Sequence, residues 1–240
     1  MKRIVLVTGG SRGIGLETAS AFLKAGSKVY ITYLFSKRSY FKKMKIFRNK
    51  NIIPIKCDMR NVEHINKLKK ILNKEKKIDV LVNNVGDAVR RSSFQDSDDK
   101  LWTESININL MSAVRTTRVL LNLLKKSNSG VVINVSSIAS RIGGGGDSLH
   151  YGVAKGAMNI FTIGLARELK KIRVVGIAPS AVNTSFQKRH SSKERIQKII
   201  DGTPMGRIAT PEEIAELIYF TCSNKTSYVS GDTIFVTGGR

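Results

Sequence analysis

Cysteine is scarce in this chain of 240 residues. The two present, Cys57 and Cys222, stand too far apart for a metal-ligand or redox spacing. No metal site is expected, and a reducing cytosol is the expected compartment. Long apolar runs are missing too: nothing approaches the roughly 18 consecutive apolar residues of a membrane span. After Met1-Lys2-Arg3, the run Ile4 to Val7 is too short for a signal-peptide core, and no small-residue cleavage site follows. No Pro- or Gly-rich linker and no internal repeat divides the chain, so one domain over 1–240 is expected. Acidic residues are the last shortage. Asp and Glu number 18 against 41 Lys and Arg, giving a formal net charge of +23. Such a field attracts polyanions, or it is a lysine-rich bias spread over solvated faces. Lysines cluster at Lys37 to Lys50 and at Lys67 to Lys77. Neither cluster carries a nucleic-acid motif and aromatics are only 7%, so no nucleic-acid partner is expected.

What is present is globular: 41% apolar and 25% charged residues exclude a disordered chain. Near-continuous hydrophobic runs read as parallel strands buried on both faces: Ile4–Val7, Val29–Tyr33, Ile52–Ile55, Val80–Val82, Val131–Val135, Val174–Ala178 and Thr233–Val236. Helical patterns lie between them. One runs from Ile14 to about Ala25 and stops at Gly26; another places Val62, Ile65, Leu68 and Leu72 on one face. Long helices are expected near Lys100–Lys126 and Tyr151–Lys171, and Thr210-Pro211 opens a further one. Alternating strand and helix predicts an α/β fold, a Rossmann-type doubly wound sheet of seven parallel strands. Gly143–Gly146 reads as a loop. The polar, weakly patterned stretch 185–203 is a candidate mobile lid.

After the first strand comes Gly9-Gly10-Ser11-Arg12-Gly13-Ile14-Gly15, opening the first helix. Glycines there let the chain turn tightly and let backbone N–H groups approach a phosphate at a helix N-terminus. Tyr151 and Lys155 lie at i and i+4 on one helix face. A cation beside a phenol stabilises phenolate and brings its proton within reach of acid–base work. The alternative is a surface Tyr–Lys pair.

Thr8 to Gly15 resembles the TGxxxGxG fingerprint of the short-chain dehydrogenase/reductase family. Asn83-Asn84-Val85-Gly86 resembles its NNAG, with Val for Ala. Asn109-Leu110, Ser136-Ser137, Tyr151 to Lys155 as YxxxK, and Pro179 to Thr184 as PGxxxT with Ser180 for Gly follow in order. The resemblance covers the whole chain. It implies that Tyr151 is the general acid in reduction, and that Lys155 lowers its pKa and binds the nicotinamide ribose. Ser137 binds the substrate carbonyl, and Asn109 anchors a water in a proton relay. Fourteen residues separate Ser137 from Tyr151 where the family usually shows thirteen, so Ser136 is the alternative and Gly143–Gly146 the place for the extra residue.

For the cofactor, the same resemblance assigns Gly9, Ser11, Arg12, Gly13, Ile14 and Gly15 to the dinucleotide. It places Asp58 and Met59 at the adenine, with a turn or cap aspartate as the alternative for Asp58. Asn83, Asn84 and Gly86 go to the ribose side, Val182 and Thr184 to the carboxamide. No acid ends the second strand, where Lys37 and Arg38 follow instead; with Arg12 they predict NADP(H) rather than NAD. Among subfamilies the chain looks most like 3-oxoacyl-[acyl-carrier-protein] reductases. This implies a cytoplasmic, NADPH-dependent homotetramer reducing a small or carrier-bound carbonyl, with an acidic carrier protein as a partner. By the same resemblance that partner docks near the active-site mouth on long-helix ends, here Lys125, Lys126, Lys170 and Lys171. Sugar, polyol and secondary-metabolite carbonyl reductases of the family share these features. A non-catalytic dinucleotide- or nucleic-acid-binding protein would have no reason to keep both Tyr151 and Lys155.

Overall fold

The computed structural model describes residues 2–35, 41 and 44–240. Its seven-stranded sheet has the order β3-β2-β1-β4-β5-β6-β7. The strands are β1 (Ile4–Val7), β2 (Lys28–Tyr33), β3 (Ile52–Lys56), β4 (Val80–Asn83), β5 (Val131–Val135), β6 (Arg173–Pro179) and β7 (Thr233–Val236). Every pairing is parallel. Successive side chains of a strand point to opposite faces, and here both faces are apolar. Val5 and Val7 of β1 join a core with Phe22, Ile214 and Ile218. Leu6, between them, joins a second core with Leu68, Leu120 and Leu124. That double burial is why the strands read as unbroken hydrophobic runs rather than as alternating ones.

The first core is closed by α1 (Gly13–Lys24) and by a helix from Pro211 to Thr221; the second by α2 (Val62–Leu72) and a long helix before β5. Gly26, expected to stop α1, adopts φ +79 just beyond the cap residue Ala25. The long helix is interrupted. It comprises α3 (Asp99–Ile106) and α4 (Ser112–Lys125), joined by a π-helical turn at Asn107–Met111. Two side chains bond into the backbone there: Asn109 Nδ2 donates to the Ser105 carbonyl at 3.0 Å and Ser112 Oγ to that of Ile108 at 2.6 Å. Such insertions into the helical ladder favour a local bulge, and π-turns concentrate at functional sites.

Beyond β5 lie the short α5 (Ala139–Ile142) and the long α6 (Leu149–Glu168), which starts and ends slightly earlier than its periodicity suggests. Residues 185–203 are not an irregular lid. They fold into α7 (Ser185–His190) and α8 (Lys193–Asp201), each started by a side-chain cap, Thr184 and Ser192. The six residues of α7 are too few for a periodicity to show, but α8 carries one, with Ile196, Ile199 and Ile200 at i, i+3 and i+4, so that helix was legible in the sequence. The helix at Pro211–Thr221, α9, has the expected N-terminus: Thr210 and Glu213 form a reciprocal capping box.

Candidate active site

Strand order reverses between β1 and β4, and the crevice at such a point lies beyond the carboxyl ends of the strands. A cavity of about 720 Å³ opens there. Its floor at one end is the β1–α1 turn. Asn84 stitches that turn to β4: its amide donates to the Thr8 carbonyl at 2.8 Å, and its backbone N–H donates to Thr8 Oγ1 at 2.9 Å. Thr32 Oγ1 accepts from the Gly9 N–H at 3.0 Å. A Cβ on Gly15 would lie 2.5 Å from the Gly9 carbonyl oxygen, so only glycine lets α1 start this close to the turn. No side chain caps the α1 N-terminus, unlike those of α2 and α9. Its first-turn N–H groups and positive dipole end are left for an anion. The residues present therefore fit a dinucleotide, with its pyrophosphate at this turn.

The other expected cofactor contacts are mostly brought together. Ser11, Arg12, Gly13 and Ile14 line the cavity beside Gly9, and Asn84 and Gly86 line it from β4. Val182 and Thr184 line it from beyond β6, and Asp58 and Met59 from beyond β3. Arg12 is exposed at the mouth. Asp58 is held by Arg60, which donates to its carboxylate at 2.8 and 3.0 Å; that pairing keeps the carboxyl below its ordinary range. Lys37 and Arg38 fall outside the described residues. Asn83 does not reach the cavity. It is buried, and its amide bridges Thr117 Oγ1 at 3.0 Å and Asn134 Oδ1 at 2.9 Å. Gly15 sits behind the turn rather than on the lining.

The reactive end is built from β5, α6 and the π-turn. Tyr151 occupies the first turn of α6, and the Ser137 hydroxyl hydrogen-bonds its phenol. Burial pushes the phenol up to about 12; the Ser137 bond opposes this and the Asp87 carboxylate adds to it. Contrary to the expectation that Lys155 lowers it, the phenol is raised, and Lys155 is not among the groups acting on it. The Lys155 ammonium lies 5.8 Å from the Tyr151 ring centroid and donates to the Val135 carbonyl at 2.8 Å. Burial brings Lys155 down to about 8. Asn109 is fully buried, with Oδ1 accepting from the Asp87 N–H at 3.0 Å and Nδ2 donating to the Asp87 carbonyl at 2.7 Å. A Cβ on Gly86 would lie 2.8 Å from Asn109 Oδ1 and 3.0 Å from Lys155 Nζ, so both side chains converge on that glycine.

The two serines separate cleanly. Both line the cavity, but Ser136 Oγ is buried and its hydroxyl is taken up by the Lys155 carbonyl, to which it donates at 3.1 Å. Ser137 lines the cavity beside Tyr151. Between the two serines and Tyr151, Gly143, Gly144, Gly145 and Gly146 all have left-handed backbone, with φ from +67 to +92. We expect Ser137→Ala to lower kcat about 10²-fold, the scale of one lost oxyanion donor. Ser136→Ala should keep kcat and lose a little thermal stability. Steady-state kinetics and a melting curve on both variants check this, and the reverse pattern would restore Ser136 as the site serine.

Two further side chains close over the site and were not legible in sequence. The Phe186 ring stands 6.0 Å from the Tyr151 ring, and the His190 ring packs against Phe186, tilted at 50° with centroids 4.8 Å apart. In contrast, the expected docking lysines lie elsewhere within the chain. Lys125 and Lys126 end α4 shortly before β5 begins, and Lys170 and Lys171 directly precede β6. They therefore sit at the amino edge of the sheet, whereas the cavity opens at its carboxyl edge.

Comparison with known proteins agrees with this geometry. A family model described as "Enoyl-(Acyl carrier protein) reductase" matches residues 9–240. The 3-oxoacyl-[acyl-carrier-protein] reductase of Aquifex aeolicus (strain VF5) is 32% identical over 242 residues, spanning 99% of this chain and 96% of that protein. The acetoacetyl-CoA reductase of Rhizobium meliloti (strain 1021) is 31% identical over 244 residues, spanning 100% and 99%. Among solved structures, the "Pseudomonas aeruginosa RhlG/NADP active-site complex" superposes with a TM-score of 0.90 at 28% identity, covering 99% of this chain and 95% of that one.

Proposed function

This chain belongs to the short-chain dehydrogenase/reductase family, and from that premise we propose that it reduces the 3-oxo group of an acyl thioester to a secondary alcohol using NADPH. The observation that carries the reductive direction is the Tyr151 phenol, held protonated at neutral pH by burial and placed against Ser137. NADPH, when bound, supplies the hydride to the carbonyl carbon. Ser137 then donates a hydrogen bond to the carbonyl oxygen, where negative charge develops. Tyr151 gives that oxygen its proton. Lys155 holds a positive charge near the phenolate left behind, and the Val135 carbonyl fixes its amine in place. Asn109 ties the π-turn to the backbone at Asp87, so the wall opposite Lys155 keeps its shape.

Gly9, Ser11, Arg12, Gly13, Ile14, Asn84, Gly86, Val182 and Thr184 would hold the dinucleotide, with Asp58 and Met59 at the adenine. Arg12, with Lys37 and Arg38, would take the 2′-phosphate. The reading extends to a cytoplasmic homotetramer. Exposed Val153 and Ile160 on α6 support self-association, and two buried unpaired thiols suit a reducing compartment. The activities of the Aquifex aeolicus and Rhizobium meliloti relatives support a thioester rather than a sugar substrate. The test follows NADPH and NADH oxidation against acyl thioesters, sugars and quinone-like carbonyls. We expect turnover of 3-oxoacyl thioesters with a higher kcat/KM for NADPH. Equal use of NADH, or a sugar as the better substrate, would overturn the corresponding part of the reading.

A further inference from the structure

The lid end of the cavity carries more positive charge than hydride and proton transfer require. Arg91, Arg195 and Lys198 all line it. One carboxylate organises two of them: Asp147 accepts from Arg91 Nη1 at 2.5 Å and from Arg195 Nη1 and Nη2 at 2.7 and 3.2 Å. Arg91 also donates through Nε to the His190 carbonyl, so the node joins the segment after β4, the glycine loop and the α7–α8 connection. A single negative charge thus fixes two guanidiniums and leaves the node net positive.

Lys198 adds to it. It stands three residues after Arg195 on α8, so the two side chains share a helix face. Among the described residues it forms no ion pair; Asp201, the nearby acid of the same helix, accepts from Gln197 at 2.8 Å. The backbone carrying Arg91 is held in a costly conformation. Val89 has φ +60, with its N–H bound to Asp87 Oδ1 at 2.9 Å. A β-branched residue there is strained, and strain of this kind persists where the surroundings enforce it. Asp87 itself is spent on the lid: Arg189 lies 2.9 Å and His190 2.8 Å from its two oxygens. Asp87 therefore leaves Arg91, Arg195 and Lys198 without a second carboxylate, and their positive charge lies on the cavity lining contributed by α8 and the segment after β4.

We propose that Arg91, Arg195 and Lys198 form a subsite for a phosphate carried by the substrate, on an arm remote from the carbonyl being reduced. Guanidinium and ammonium groups already oriented by protein are suited to a phosphate, which takes several charge-assisted hydrogen bonds at once. The inference rests on the thioester reading above, because pantetheine thioesters of a carrier protein and of coenzyme A share such a phosphate.

The experiment compares acetoacetyl-pantetheine with acetoacetyl-4′-phosphopantetheine, which differ only in the phosphate. The phosphorylated thioester should show about tenfold higher kcat/KM, expressed in KM, as one charge-assisted contact predicts. Lys198→Gln, an exposed change, should cut that preference several-fold, and Lys198→Gln with Arg195→Gln should bring it to parity. The neutral thioester should be reduced by Lys198→Gln as by the wild type. Equal kcat/KM for both thioesters in the wild type would overturn the subsite while leaving the thioester reading intact. Reduction of neither thioester would remove that reading too. Acetoacetyl-coenzyme A should lose the same factor as the phosphopantetheine form on Lys198→Gln. A loss confined to the coenzyme A thioester would overturn the shared-phosphate assignment.

Discussion

Replacing Tyr151 with Phe is expected to lower kcat about 10²–10⁴-fold, the range a positioned acid supplies, while NADPH binds as before. The aromatic ring stays, so its packing against Phe186 is preserved and only the proton donor is lost. Ser137 loses its phenol partner but faces the cavity, where water can replace it. The fold should therefore tolerate the change. Two measurements separate the roles: steady-state turnover with a 3-oxoacyl thioester, and dinucleotide binding by fluorescence titration. Turnover above about a tenth of wild type would remove Tyr151 as the acid. A parallel loss of NADPH affinity would mean that the hydroxyl serves binding instead. The proton's direction also follows from the burial of the phenol. A group pushed up to about 12 stays protonated across neutral pH and is set to donate, so carbonyl reduction needs no prior ionisation. The reverse oxidation needs phenolate and should rise with pH.

The elements of this fold were legible where physics leaves a local mark. The inner strands appear in sequence because both faces of the sheet are covered there and those strands are almost wholly apolar, while the edge strands β3 and β7, more exposed, still keep apolar runs. The glycine turn and the Tyr151–Lys155 pair appear because their spacing is the chemistry. Some errors of assignment were avoidable by strand parity. Leu81 and Asn83 point to the face covered by α2 and α4, so Asn83 could not line the cavity, whereas Asn84 just beyond β4 turns to the glycine loop. Ser136 and Ser137, just beyond β5, both line the cavity and differ only in their partners, one hydroxyl bonded to backbone and one facing Tyr151.

Other features leave no local mark. The π-turn around Asn109 depends on side chains competing for backbone carbonyls, which no periodicity reports. The Asp147 node joins residues 91, 147 and 195, far apart in sequence, and only the folded chain brings them together. The docking lysines failed for a topological reason. A helix that returns antiparallel to its sheet carries its carboxyl end to the amino edge, away from the cavity.

Lys155→Met is expected to lose turnover as severely as Tyr151→Phe, yet to change stability in a pH-dependent way that exposes the cost of burying the amine. The side chain is 2% exposed, and the Val135 carbonyl is its hydrogen-bond partner. Burial brings its pKa down to about 8 from an ordinary 10.5. Between those values the unfolded chain binds more protons than the folded one, so stability rises with pH in that window. Below pH 8 both states are protonated and the penalty is full, of order 3 kcal/mol at about 1.4 kcal/mol per unit. Above 10.5 it is gone. Methionine fills a similar volume and carries no charge, so the variant lacks that pH dependence. It also leaves the Val135 carbonyl without its donor, a cost of about 1–3 kcal/mol that does not vary with pH. The two terms nearly cancel at pH 7, so the variant should melt close to wild type there. As pH rises from 8 to 10, the wild type should pull ahead by about two-thirds of the penalty, of order 2 kcal/mol. Urea unfolding of the cofactor-free protein at pH 7, 8, 9 and 10 measures this difference directly. A constant gap between variant and wild type across the series would mean that Lys155 titrates at its ordinary value. A variant that keeps its turnover would show that the phenolate needs no buried cation.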